Sequence, residues 1–191
     1  LSTLDTKAIY FAEIRGSINP ASADFLKSSI QKAEKNSGEL LVVELDTPGG
    51  LVSSVRLMAQ VIDESKIPVV VYVTPAGASA TSAGALLMLA SHVSAMSPGT
   101  NIGAAHPVGQ GGKKIEGPMG DKAVNDVAAF ARGMAELRKR NVSLAEKVVT
   151  QSLSMTAKEA SQKKFIELLA KDRGELLQKL HGMEVTVAGA S

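Results

Sequence analysis

Twice in this chain an apolar run with strand character stops at a cluster of small residues and gives way to an apolar helical stretch. Leu40-Leu41-Val42-Val43-Glu44-Leu45 ends at Thr47-Pro48-Gly49-Gly50, and Val69-Val70-Val71-Tyr72-Val73 precedes Gly77-Ala78-Ser79-Ala80-Thr81-Ser82-Ala83-Gly84. The first turn leads into a helix expected from about Val52 to Glu64, burying Val55, Met58 and Ile62. The second leads into Ala85-Leu86-Leu87-Met88-Leu89-Ala90. Strands alternating with helices imply βαβ units, right-handed crossovers and a parallel sheet. The expected class is therefore α/β, a mainly parallel sheet flanked by helices.

The remaining segments fit that frame. Ala8 to Ile14 reads as a buried strand, punctuated by Gly16 and Pro20, and Ala23 to Lys35 as a helix with Phe25, Leu26, Ile30 and Ala33 on one side. A short strand is expected near Val93 to Met96. Asp121 is the expected cap of a helix reaching about Lys139, with Val124, Val127, Ala128, Ala131 and Met134 inward. Ser143-Leu144-Ala145-Glu146 and Thr156-Ala157-Lys158-Glu159 have the form of capping boxes. Phe165 to Ala170 reads as a strand, Gly174 to Leu180 as a last helix, Met183 to Val187 as a strand or linker, and Gly109 to Lys114 as a flexible loop. One domain over 1–191 accounts for the whole chain.

Composition narrows the function. Aromatic residues are 3% of the chain, so its core must be aliphatic and alanine-rich. A net charge of +2 with no basic block argues against nucleic acid, which needs a concentrated cationic face. The absence of cysteine excludes disulfides, thiolate catalysis and a cysteine zinc site. His92, His106 and His181 share no ligand spacing, so no metal is expected. Phosphate-binding glycine motifs are missing, and no cofactor is expected. No run approaches the roughly 18 apolar residues of a membrane span. The start at Leu1, without a signal-peptide pattern, reads as a fragment or mature form.

A serine lifted to the mouth of a helix meets free backbone N–H groups and the positive end of the dipole. With a base nearby it can attack a carbonyl. Ser82 is the candidate nucleophile, ahead of Ser79 and Thr81, because Ala83-Gly84 follow it and leave the Ala83 N–H open to a substrate oxygen. The plain alternative is a capping serine, the commoner role for such a residue in isolation. Gly50, after a parallel strand where ligands of α/β sheets bind, is the candidate second oxyanion donor, with Gly49 beside it on the substrate side. Two candidates remain for the base. Lys122 follows Asp121 at the expected helix start, where the dipole and partial burial would disfavour its charged form. His106, in Gly103-Ala104-Ala105-His106-Pro107, needs less tuning. A solvated lysine and a loop histidine bonded to backbone are the plain readings of each.

Taken together, Thr47–Gly50, Gly77–Gly84, Met96-Ser97-Pro98-Gly99-Thr100-Asn101-Ile102-Gly103 and Leu153-Ser154-Met155-Thr156-Ala157-Lys158-Glu159-Ala160 make the chain resemble the ClpP/crotonase superfamily. The nearest resemblance is to the serine-protease domain of the NfeD membrane proteins, partners of stomatin-like proteins. It implies a ClpP/crotonase-like spiral of β/α units and a Ser–Lys dyad. In archaeal members the lysine begins the helix before an Asn-rich, apolar stretch. Matching Lys122-Ala123-Val124-Asn125-Asp126 to that stretch places the lysine at Lys122, the serine at Ser82 and the oxyanion donors at Gly50 and Ala83. ClpP itself uses Ser-His-Asp, but Thr150-Gln151-Ser152 offers no acid to orient His106, which is left as a substrate-side or supporting residue. The family usually carries a glycine near Lys164, so the helix end there departs from its pattern.

The resemblance further implies cleavage of apolar peptide segments, such as that of a stomatin-like membrane partner. It also implies a homodimer or higher oligomer, and an extracytoplasmic catalytic domain excised from a membrane-anchored chain. Two rivals share the fold. One is a crotonase-type acyl-CoA enzyme, which would not need Ser82. The other is an inactive scaffold that binds a membrane partner.

Overall fold

The computed structural model describes residues 7–109, 112, 113 and 115–189. In chain order the elements are β1 (Ile9–Arg15), α1 (Pro20–Lys35), β2 (Leu40–Asp46), α2 (Val52–Asp63), β3 (Val69–Val73), β4 (Ser79–Thr81), α3 (Ala83–Ala90), β5 (Val93–Met96), β6 (Asn101–Gly103), α4 (Gly117–Leu137), α5 (Val142–Thr150), β7 (Ser154–Thr156), α6 (Ala157–Gln162), β8 (Leu168–Leu169) and α7 (Arg173–Leu180). β1, β2, β3, β5 and β8 lie side by side in that order, every pair parallel. A second sheet runs β4-β6-β7, with β6 and β7 antiparallel.

The period of two along each strand sorts the core into two layers. Leu41, Val43, Leu45, Val69, Val71 and Val73 point to the larger cluster, where Leu26 and Ile30 of α1, Val55, Met58 and Ile62 of α2 and all of α3 from Ala85 to Leu89 meet them. Val42, Val70, Tyr72, Val93 and Ala95 point to the other face, covered by Leu176 of α7. α3 is apolar all round because it is enclosed on every side; each of its residues is buried. Leu26, Ile30 and Ala33 of α1 are buried as expected, whereas Phe25, also expected inward, stands 46% exposed.

Several boundaries differ from expectation for local reasons. α1 begins three residues early, because Asn19 forms a capping box with Ser22 and Pro20 occupies the first turn. Thr156 and Glu159 form the expected box, but α5 is capped by Asn141, whose side chain accepts the Leu144 N–H; Ser143 lies inside the helix. Asp121 caps nothing. α4 starts at Gly117 after Glu116, so both Asp121 and Lys122 fall in its second turn. The expected strand from Phe165 shrinks to Leu168–Leu169, and Met183–Val187 has no regular structure. Of the expected flexible loop, residues 110, 111 and 114 lie outside the described residues.

Lys164 resolves the missing glycine by adopting the left-handed conformation itself, with φ 58°. Its N–H donates to the Ser161 carbonyl, and the Phe165 N–H turns back to Ala160 at 2.8 Å. An L-residue in that region costs about 1–2 kcal/mol, partly offset by the greater entropy glycine loses on folding. Lys164→Gly is therefore expected to stabilise the domain by about 0.5–1 kcal/mol, read as a rise of roughly 2 °C in melting temperature.

His92 lies at the junction of α3 and β5. Its Nδ1 accepts the Val69 N–H at 3.0 Å, while the buried Nε2 has no partner among the described residues. Burial, reinforced by Arg138 and Arg140 and opposed by Asp63, lowers its pKa from 6.5 to about 4. Between those values the unfolded chain takes up a proton that the folded chain refuses. Stability is thus fully present above pH 6.5 and is lost as pH falls toward 4. The loss at pH 4.5 is on the order of 2 kcal/mol. His92→Asn keeps an acceptor for Val69 without the titration. Urea unfolding at pH 7 and pH 4.5 should show a difference between the two pH values smaller by about that amount in the variant.

Candidate functional site

The site is built where the two small-residue turns meet. β2 ends at Asp46, and Thr47 is tied across to β4: its N–H donates to the Ser79 carbonyl, and its carbonyl accepts the Thr81 N–H. The buried Thr47 Oγ1 accepts the Gly49 N–H at 3.0 Å, which folds the turn back on itself. Ile18, from the β1–α1 connection, then grips the turn from outside. Its N–H donates to the Gly49 carbonyl at 2.8 Å, and its carbonyl accepts the Leu51 N–H at 2.9 Å. Between these bonds the Gly50 N–H has no acceptor among the described residues. Both glycines have positive φ, 117° and 154°, and a Cβ at Gly50 would collide with the Ile18 carbonyl.

Ser82 sits at the strand-to-helix corner between β4 and α3, with φ 56° and ψ −119°. A non-glycine residue in that region is strained, and the strain persists only because its surroundings hold it. The holding bond is visible: the Ser82 N–H donates to the Gly103 carbonyl of β6 at 2.8 Å. Ser82 is the N-cap residue of α3 by position, yet its side chain makes no capping bond. The hydroxyl is thus left for other work. Ala83 and Gly84 are the first two helical residues, so their N–H groups have no intrahelical acceptor.

Gly49 brings the halves together. A Cβ built on it would stand 2.6 Å from the Ser82 Cβ and 3.2 Å from its Oγ. The structure therefore brings Gly49 against Ser82, with Gly50 and Ala83 their chain neighbours and neither amide given an acceptor among the described residues. The rivals are occupied or aside: Ser79 Oγ donates to the Thr47 carbonyl at 3.3 Å, and its N–H bonds Asp46.

The two candidate bases differ in freedom. His106 is half-buried and its Nδ1 lies 3.0 Å from the Val149 carbonyl of α5. That is the plain loop role. Lys122 is exposed rather than partly buried, and lies on the second turn of α4 rather than at its mouth. Its amine forms no ion pair among the described residues, and the structure closes no hydrogen bond between it and Ser82. Asp126, one turn on, is engaged by Arg56 at 2.8 Å. Sequence reasoning passed over Ile18, Thr47 and Gly103 as supports. Thr47 and Gly103 lay inside quoted motifs, whereas Ile18 carried no local signal.

Residues 8–188 match the model of the NfeD1b N-terminal domain. The membrane-bound protease PH1510 of Pyrococcus horikoshii is 41% identical over 94% of this chain. The chain spans about two fifths of that relative, the match covering 41% of its length. Among solved structures, a lysine-to-alanine mutant of the 1510-N membrane-bound stomatin-specific protease, in complex with a substrate peptide, superposes with a TM-score of 0.92 at 40% identity, covering 98% of this chain and 87% of that one. A serine-to-alanine mutant of the same protease gives a TM-score of 0.90 at 40% identity over 96% of this chain and 89% of that one. The fold is thus that of the solved protease domain, and the chain belongs to the family of NfeD1b N-terminal domains.

Proposed function

We propose that this domain is a serine endopeptidase working through a Ser82–Lys122 dyad. The observation that carries the reading is the meeting of Gly49 with Ser82, a residue with a strained backbone and a side chain that makes no capping bond. In this mechanism Ser82 Oγ attacks the scissile carbonyl. The neutral amine of Lys122 takes the hydroxyl proton and returns it to the leaving nitrogen. The Gly50 and Ala83 N–H groups receive the charge that develops on the carbonyl oxygen, and such a donor is worth about 100- to 1,000-fold in rate. Water then resolves the acyl-enzyme. Lys122 must swing inward from its exposed position. Catalytic hydrogen bonds that tighten only with substrate in place are common.

The relatives lend support from outside. A solved protease of this fold was studied with a serine replaced by alanine, and again with a lysine replaced by alanine in the presence of a substrate peptide. The substrate we propose is an apolar peptide segment, such as that of a stomatin-like membrane partner. Leu51, next to Gly50, is 52% exposed, and Met119, three residues before Lys122, is 78% exposed. Both are large apolar side chains on the segments that carry the site. No helix among the described residues is long and apolar enough to cross a membrane. We place this domain on the extracytoplasmic side of a membrane-anchored protein.

The test is mass spectrometry of products from an apolar peptide incubated with wild type and with Ser82→Ala. Discrete internal cleavage by wild type alone supports an endopeptidase. Cleavage by both rules out Ser82, and cleavage by neither, with tight binding of an acyl-CoA, points to crotonase chemistry instead.

A further inference from the structure

Lys122, Asp126 and Phe130 are spaced by four along α4, so their side chains form one stripe. Among the neighbours of Lys122 at helical spacing, Pro118, Met119, Asn125 and Asp126, only Asp126 is an acid. An ammonium and a carboxylate one turn apart on a helix are within reach of each other. Here that carboxylate is taken. Arg56 Nη2 donates to Asp126 Oδ2 at 2.8 Å, and the same guanidinium lies 4.6 Å from the centre of the Phe130 ring. Arg56 thus covers the two lower steps of the stripe and leaves the top step, Lys122, open. Glu146 of α5 is paired with Arg132 at 2.8 Å, and α3 carries no ionisable side chain.

Arg56 belongs to α2, which starts two residues after Gly50. The clasp therefore links the helix following one proposed oxyanion donor to the helix bearing the proposed base. We infer that Arg56 is a positioning residue: by occupying Asp126 it leaves the Lys122 amine free to turn to Ser82. This rests on the Ser–Lys reading given above.

A merely structural clasp and a guard on the lysine make opposite forecasts for Asp126. If the pair only holds α2 against α4, deleting either partner does equal harm. If Arg56 guards Lys122, deleting Asp126 removes the competitor and the guard is no longer needed. The experiment measures kcat and KM for cleavage of one apolar peptide by the folded domain. Arg56→Gln should lower kcat by about twofold with KM unchanged. Asp126→Asn should match wild type, and the double variant should match Asp126→Asn. An Asp126→Asn variant as slow as Arg56→Gln, a double variant no faster, or an Arg56→Gln variant equal to wild type overturns the inference. Ser82→Ala and Lys122→Ala in the same assay separate the two levels. If both are inactive while Arg56→Gln is unchanged, only the guard falls. If either is fully active, the dyad falls and takes the guard with it.

Discussion

Ser82→Ala and Lys122→Ala are each expected to cut the cleavage of an apolar peptide by about 1,000-fold or more, and the double variant to be no worse than either alone. Nucleophile and base act as one unit, so their losses do not add. The same variants should fold normally. Ser82 makes no capping bond and Lys122 is exposed without a described partner, so neither truncation removes a structural contact. This separates catalysis from the plain reading of Ser82 as a helix cap. Loss of a capping serine would cost about 1 kcal/mol of stability and leave activity alone. Ser79→Ala serves as the local control. It removes a long hydrogen bond to the Thr47 carbonyl and should retain most of the activity. The measurements are steady-state cleavage and a thermal melt of each variant.

Arg140→Ala is expected to cost about 3–5 kcal/mol of stability, a fall of roughly 10 °C in melting temperature. The Arg140 guanidinium is 1% exposed and grips Glu167 through two bonds, of 2.7 and 2.8 Å. It also donates to the carbonyls of Met88 and Leu89 at 3.0 and 2.7 Å. Those carbonyls end α3, the helix whose other end carries Ser82. Without Arg140 the Leu89 carbonyl loses its side-chain donor, the Met88 carbonyl keeps only the Ser91 and Ser94 hydroxyls, and the Glu167 carboxylate keeps only the Ser94 N–H at 2.6 Å. The arginine side of this pair is buried and the glutamate side 27% exposed, so breaking it costs more than breaking an exposed pair. Arg140→Lys should recover part of it, since an ammonium restores charge but not the two-pronged geometry. Chemical denaturation of the three proteins at neutral pH measures both effects.

How much of this was legible in the sequence depended on how local each cause is. β2, β3 and the helices that follow them could be read because their apolar runs are long and their punctuation strong. The residue alternation that divides Leu41, Val43 and Leu45 from Val42 also follows from the period of a strand. The three-residue strands β4, β6 and β7 could not be read, because they exist through pairing across the chain: Thr81 with Gly103, Ile102 with Met155. The start of α4 was misjudged because an acid before an apolar stretch looks like a cap, whereas Gly117 and Pro118 open the helix a turn earlier. The meeting of Gly49 and Ser82 was anticipated from two turns after two strands, but Ile18, which fixes Gly50 from a loop, left no mark. The Arg56–Asp126 pair spans seventy residues and belongs to the tertiary structure alone.

The central claim is that Lys122 activates Ser82, and labelling with a fluorophosphonate probe tests it most directly. The modified residue is identified by peptide mass spectrometry, and the rate is compared between wild type and Lys122→Ala. Labelling confined to Ser82 in wild type, and slowed at least a hundredfold in the folded Lys122→Ala domain, is the expected result. Equal labelling of Ser82 in both proteins, or a label on any other residue, would contradict it.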